Sequence, residues 1–483
     1  MDGDNSNVGS FEAPFYSWQR GVEAARPGDI VYIRGGVWEP AERVGRVFGM
    51  GLLAENTGTE DAPIRYFNYP GEVPILDGSL MEPDEYQWNA GVSMDNVEYI
   101  HLRGLTVREI HQSPPDFEHE KPYSEAYGIG CTNCANMRYE NMTVHDIDGR
   151  AFQHWSGAWT ELDAQASYDR CVEDQGGDES NCTYPTPIYE SDESSWVNCD
   201  AYNLFDRHST APGNAADGWK VATYHGSTFT WEGCRAWNYS DDGFDPHGSG
   251  MRIFDSCWAM STDKYADESG DWDVEGNGFK ITAVNRSGIE GYELGAEVGV
   301  VVRNSIAAGN LGVGVYNNIL ADFDDLWPNG GLLHNNFAFQ NYHGHSDSTT
   351  SVYRNNVAYS SVAVGPIGEV YNIAISNSEY TESHNSWVKQ DDGGWPWAID
   401  NPDFGIEEED YLSLDMSELT LPRQADHSLP DISFAHLAEG SDLIDGGVVI
   451  PGYHCETSGE KSDGACVEWY GAAPDLGPFE SNY

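Results

Sequence analysis

Asn198-Cys199-Asp200-Ala201-Tyr202-Asn203 returns as Gly233-Cys234-Arg235-Ala236-Trp237-Asn238. It recurs in shorter form as Ser256-Cys257-Trp258-Ala259-Met260, Asn304-Ser305-Ile306-Ala307-Ala308, Asn335-Asn336-Phe337-Ala338-Phe339 and Asn355-Asn356-Val357-Ala358-Tyr359. An alanine comes back in every copy. The copies start 20 to 48 residues apart, too irregular for propeller blades but natural for a coil whose turns carry loops of different length. Each copy is too short to bury its own apolar face, so the copies must stack. Almost no sustained 3.6-residue periodicity follows position 40, which leaves parallel strands without crossover helices. An all-β fold, a parallel β-helix, is therefore expected.

Working outward, Ser17 to Ala25 is a short amphipathic segment, followed by the turn Arg26-Pro27-Gly28-Asp29 and the strand-like Ile30-Val31-Tyr32-Ile33-Arg34-Gly35-Gly36-Val37-Trp38. Helix, turn and strand in that order suit a cap of about 45 residues over an open sheet end. The coil with its cap is expected over residues 1–400. Ser441-Asp442-Leu443-Ile444-Asp445-Gly446-Gly447 and Ala473-Pro474-Asp475-Leu476-Gly477-Pro478-Phe479-Glu480 belong to a closing tail, 401–483, packed on the coil.

A formal charge of -56, from 80 acidic against 24 basic residues spread along the chain, excludes nucleic acid as a partner, because nothing here neutralises phosphates. Six of the basic residues are lysine, so the surface is almost purely carboxylate, as suits a halophilic or marine setting where salt screens self-repulsion. The 39% hydrophobic and 12% aromatic content is enough for a core. No apolar run is long enough to cross a membrane, and a monomer is expected. Of nine cysteines, Cys171 with Cys182 and Cys455 with Cys466 lie in polar loops that can close as disulfides, which points to a secreted protein. Cys199, Cys234 and Cys257 fall in apolar runs and read as small buried hydrophobes.

A second repeat interleaves with the first: Asp217-Gly218-Trp219-Lys220, Asp242-Gly243-Phe244-Asp245 and Asn277-Gly278-Phe279-Lys280. Stacked on consecutive turns about 4.8 Å apart, these put Asp217, Asp242 and Asn277 in one column and Lys220, Asp245 and Lys280 in the next, with Asp241 alongside. Acidic density carries no signal, since residues 217 to 245 hold five acidic residues and a chain with 80 in 483 places about five in a stretch of that length. Placement does, because the carboxylates and two of six lysines sit at matched offsets around the glycine. Four carboxylates this close raise one another's pKa unless a cation sits among them. Calcium, with its many oxygen ligands, suits them, and no histidine or cysteine set favours zinc. Adjacent strand residues face opposite ways, so Asp241 and Asp242 serve together only if the chain bends, which Gly243 permits.

Ala216-Asp217-Gly218-Trp219, Ser240-Asp241-Asp242-Gly243-Phe244-Asp245 and Gly276-Asn277-Gly278-Phe279-Lys280, in that order, resemble the core motifs of polysaccharide lyase family 9, over roughly residues 195 to 360. The resemblance implies a right-handed parallel β-helix of ten turns and a pectate lyase activity. By motif, it makes Asp217, Asp241, Asp242 and Asp245 the calcium ligands and Lys280 the general base. Where members of the family continue from the lysine into Leu and two glycines, this chain has Ile281-Thr282-Ala283, and an acidic insertion, Asp263 to Glu275, precedes the motif. Lys220 has no counterpart role.

Such chemistry takes the C5 proton of a uronic acid residue and expels the 4-linked sugar, with an acidic polysaccharide as the substrate and calcium bridging two negative partners. Lys280 must be neutral to act, so an alkaline optimum is expected. Two other classes remain open: an inverting glycoside hydrolase using two of the four aspartates about 6.5 to 9.5 Å apart, and a non-catalytic glycan-binding β-helix with a structural calcium. Most aromatics read as lining of the coil. His208, His225 and His247 read as polar surface.

Overall fold

The computed structural model describes residues 3–40, 47–80, 88–113, 124–157, 189, 191–209, 211–223, 227–248, 250–261, 275–283, 299–317, 331–341, 343–347, 352–359, 371–375, 381–389, 398–460 and 466–483. Within them, short strands join three parallel sheets of eleven, ten and eleven strands. The chain visits the sheets in rotation, one strand each per turn. The first sheet runs from Ile30–Ile33 to Thr381–Ser383, the second from Gly36–Trp38 to Val357–Tyr359, and the third from Val47–Leu52 to Tyr371–Ile375. This is the parallel β-helix that the repeat requires.

The repeat has a local cause. Its opening residue, Asn198, Gly233, Ser256, Asn304, Asn335 or Asn355, lies between a first-sheet strand and a second-sheet strand with φ of 50 to 59°. That left-handed corner favours Gly and Asn, which tolerate it at least cost. Three residues on, Ala201, Ala236, Ala259, Ala307, Ala338 and Ala358 pair in unbroken register. All are buried inside the coil, continuing the column that Leu76, Val107 and Val144 begin on earlier turns.

Aromatic rings fill the wider parts of the interior. Tyr139, Trp196, Trp231 and Phe254 stack at centroid spacings of 5.1, 4.9 and 4.5 Å. Phe152, Trp219, Phe244 and Phe279 do so at 5.0, 4.6 and 4.9 Å. These spacings follow the rung spacing of a sheet. At the N-terminal end, Trp18–Ala24 forms the expected helix, capped by the Ser17 side chain accepting from the Arg20 N–H, with Trp18 and Val22 packed on the coil.

The tail covers the outer face of the second sheet. Tyr411, Leu419, Phe434, Leu437, Leu443 and Leu476 pack on Trp258, Met260, Ile306, Phe337, Phe339 and Val357. The corner asparagines hold it too, since Asn335 Nδ2 donates to the Gly477 carbonyl at 3.2 Å and Asn355 Nδ2 to that of Val448 at 2.9 Å. Further up, the carboxylate of buried Asp200 is shared by Arg235 of the next turn, at 2.8 Å, and Arg423 of the tail, also at 2.8 Å. Asp200→Ala leaves two guanidinium groups in the interface without their acid. It is expected to cost about 3–5 kcal/mol, read as a fall in the denaturant midpoint and faster proteolysis within the tail.

Cysteine pairing differs in part from expectation. Cys455–Cys466 is a disulfide, and so is Cys131–Cys134, within one third-sheet strand. Cys171 and Cys182 lie outside the described residues. Cys199, Cys234 and Cys257 are free, fully buried and on successive turns.

Candidate active site

The second repeat stacks as its spacing predicts. The Gly218 N–H donates to the Asp242 carbonyl and the Gly243 N–H to the Asn277 carbonyl, both at 2.9 Å, so Asp217, Asp242 and Asn277 form one column. Lys220 pairs with Asp245 in register, and the pairing of Phe244 with Phe279 puts Lys280 next in line. Between the columns runs a ladder of glycines. A Cβ on Gly218 would sit 2.4 Å from the Gly243 carbonyl oxygen, one on Gly243 2.7 Å from that of Gly278, and one on Gly278 2.5 Å from that of Gly314. Gly243 was expected to permit a bend. The chain does bend between Tyr239 and Phe244, but Gly243 keeps an ordinary φ, and what it provides is the close approach of neighbouring turns.

This approach gathers the acids. Carboxylate oxygens of Asp217, Asp242 and Asp245 lie within 4.8 Å of one another, and those of Asp241, Asp242 and Glu275 form a second triad within the same limit. All four predicted aspartates are thus brought together, with Asp242 common to both groups and Asp241 on the Glu275 side. Their residues are buried, at 0% exposure for Asp217 and Asp242, 2% for Asp245 and 4% for Asp241. Asn277 takes the third column place as a donor, its Nδ2 2.8 Å from Asp242 Oδ1.

Both lysines point into the group. Lys220 Nζ donates to Asp245 Oδ2, and Lys280 Nζ lies 3.0 Å from Asp242 Oδ2 and 2.5 Å from Glu275 Oε2. Arg150 Nε approaches Asp217 Oδ2 at 3.7 Å while its Nη1 donates to Glu125 and Gln153, each at 2.8 Å. Five carboxylates, Asp217, Asp241, Asp242, Asp245 and Glu275, together with Glu125 on Arg150, therefore face three cations, so acids outnumber bases in the group. Asp217 Oδ2 and Asp241 Oδ1 are buried without a hydrogen bond. An excess of carboxylates and orphaned hard oxygens are what a divalent cation such as calcium satisfies, so the donor set fits that ion.

The electrostatics agree. Burial, with Asp242 and Asp217 adding repulsion, pushes Asp241 well above the carboxylate range. Burial pushes Asp242 up to about 7 against the pull of Lys280, and it raises Asp217 as well. Burial also opposes ionisation of Asp245, yet Lys220 and Lys280 outweigh it and hold Asp245 low. For Lys280 burial disfavours the ammonium, but Asp242, Asp245 and Asp241 prevail and keep it above the ordinary lysine value.

Sequence reasoning gave Arg150 and Glu275 no role. Arg150 had a signal. Gly149-Arg150-Ala151-Phe152-Gln153 is another copy of the column motif with alanine for glycine, and the register of Phe152 with Trp219 puts Arg150 directly before Asp217 in the column. Glu275 had none, because its counterparts one and two turns back are Ser240 and Ala215.

The whole chain was compared with known proteins. It is 26% identical over 491 residues to pectate lyase L of Dickeya dadantii, spanning 100% of this chain and 89% of the relative. It is 23% identical to pectate lyase PEL9 of Emericella nidulans, over 92% of each. Among solved structures, pectate lyase Pel9A superposes with a TM-score of 0.65 at 22% identity, over 99% of this chain and 94% of that one. A rhamnogalacturonan lyase superposes at 0.62 and 20%, over 90% and 95%. The family model described as the Pel9A-like right-handed β-helix region matches residues 1–356, and the chain therefore belongs to the Pel9A-like right-handed β-helix family.

Proposed function

We propose that this polysaccharide lyase acts outside the cell on a uronate polymer, pectate first among the candidates, by β-elimination with Lys280 as the base and one calcium ion held by Asp217, Asp241, Asp242 and Asp245. The observation that carries this reading is the contact of an amine, Lys280, with a buried cluster in which carboxylates outnumber cations and carboxylate oxygens are left without a hydrogen bond. The lyase names of the relatives support the same chemistry.

Asp217, Asp241, Asp242 and Asp245 would hold calcium, which when bound would supply positive charge to a uronate carboxylate and so make the neighbouring C5 hydrogen more acidic. Lys280 does the rest from its rung. Neutral Nζ accepts the C5 proton, the C5–H electrons form the C4–C5 double bond, the C4–O bond breaks, and the departing oxygen takes a proton from water. Asp242 and Glu275, on two sides of Nζ, fix where the amine points. Asn277 orients Asp242, and Arg150 braces Asp217. The disulfides Cys131–Cys134 and Cys455–Cys466 support an oxidising, extracellular setting.

An inverting hydrolase needs its two carboxylates roughly 6.5–9.5 Å apart to seat a water, and the oxygens of Asp217, Asp242 and Asp245 approach within 4.8 Å. That spacing favours the lyase. The surrounding carboxylates hold Lys280 above the ordinary lysine range, a pull that a cation among them would offset, and the neutral fraction of Lys280 grows with pH. The expected result is ultraviolet-absorbing unsaturated product from polygalacturonate, formed faster at alkaline than at neutral pH and abolished by chelator. A chelator-resistant rate would remove calcium from the reaction, and reducing ends without the double bond would replace the lyase with a hydrolase.

A further inference from the structure

Beside the lysine column, the third sheet carries a second outward column. In register, Thr132, Trp155, Ala222 and His247 occupy successive rungs. Strand alternation fixes their direction. Phe152 stacks on Trp219 inside the coil and His154 packs inside against Trp196 and Phe229, so Gln153 and Trp155 face outward. Trp155 and His247 stand two rungs apart, roughly 10 Å at the usual strand spacing. Their ring centroids are nevertheless only 5.4 Å apart, inclined at 67°. That gap closes only if the indole lies along the coil axis over Ala222, whose single methyl lets it pass. Both rings remain half-buried.

The indole thus reaches along the same axis as the rungs of Gln153, Lys220, Asp245 and Lys280. Rungs recur at about the length of one pyranose unit, so a polymer laid along the axis presents one sugar per rung or nearly so. A uronate ring has an apolar C–H face, which an indole accepts, and a carboxylate, which needs a cation. Lys220, on the rung between those of Trp155 and His247, is the cation nearest in register.

We propose that Trp155, braced by His247 across Ala222, is the stacking platform for a uronate ring bound beside the residue that is cut, with Lys220 facing that ring's carboxylate. This rests on the reading of the chain as a uronate lyase and adds a subsite to it. Lys220, which matches no motif role, thereby acquires one.

The test titrates tetragalacturonate and, in parallel, tetraguluronate into Lys280→Ala protein, which binds without cleaving, and follows tryptophan fluorescence. A change in emission is expected with one of them, lost in Lys280→Ala/Trp155→Ala, together with binding weakened tenfold or more. Lys220→Gln in the same background should narrow the preference for the free acid over its methyl ester. In the otherwise unaltered enzyme, Trp155→Ala should raise KM on polygalacturonate tenfold or more with kcat within threefold, and Trp155→Phe should restore most of the KM. A kcat loss at unchanged KM, or binding of both oligomers indifferent to Trp155, overturns the platform. Absence of unsaturated product from the unaltered enzyme would count against the lyase alone, because the fluorescence titration still decides whether Trp155 holds a sugar.

Discussion

Lys280→Ala is expected to lower kcat for unsaturated product by about 10³-fold or more, at the upper part of what a positioned general base contributes, while leaving the fold intact. The residue sits at the end of a two-residue strand, with Phe279 carrying the core contacts and Nζ directed at Asp242 and Glu275. Removing the amine deletes the proton acceptor without touching the ring stack. Lys280→Arg should be equally inactive, since a guanidinium keeps its charge at any working pH and so cannot accept a proton. The alanine variant has a second, opposite effect. With one of three cations gone, the carboxylates gain a surplus charge, so calcium should bind more tightly than in the native chain, which isothermal titration measures. Retained activity in either variant would move the base to another residue.

Asp242→Asn is expected to remove the thermal stabilisation that calcium gives, and with it at least about 10³-fold of activity. Asp242 is the carboxylate common to both triads and is wholly buried, so its loss reduces each group to two acids. A ligand at a hundred times its dissociation constant stabilises by about 2.7 kcal/mol, and that is the order of the shift that should vanish. The readout is the difference in melting temperature with and without calcium, which cancels the general cost of the substitution. An undiminished shift would mean that the cation is held by Asp217 and Asp245 without their central partner.

How much of this was legible in sequence follows from where each contact lies along the chain. The alanines and the corner residues repeat because every turn solves the same local problem, so the coil could be found from Asn198, Gly233, Ser256 and their later copies alone. The site columns were legible for the same reason, with Gly218, Gly243 and Gly278 marking the register. What was not legible depends on side-chain direction. Glu275 reaches Lys280 from a position whose counterparts are Ser240 and Ala215, so no pattern announces it. Trp155 looks like one more interior aromatic until the strand's alternation turns it outward, and its contact also takes His247 out of plain polar surface. The bond of Arg423 to Asp200 joins residues 223 apart, beyond any spacing argument. Cys131–Cys134 escaped because both cysteines belong to a strand, while pairing was sought in loops.

The glycine ladder also bears on how such a chain can change over generations. The backbone of each rung pairs only with the rungs above and below it, and the glycine ladder sets their close approach. An altered residue at Trp155 or Ala222 consequently leaves the rungs that carry Asp217, Asp242, Asp245 and Lys280 where the backbone sets them. Appetite for a different polymer can thus be acquired one rung at a time, with the bond-breaking machinery inherited unaltered.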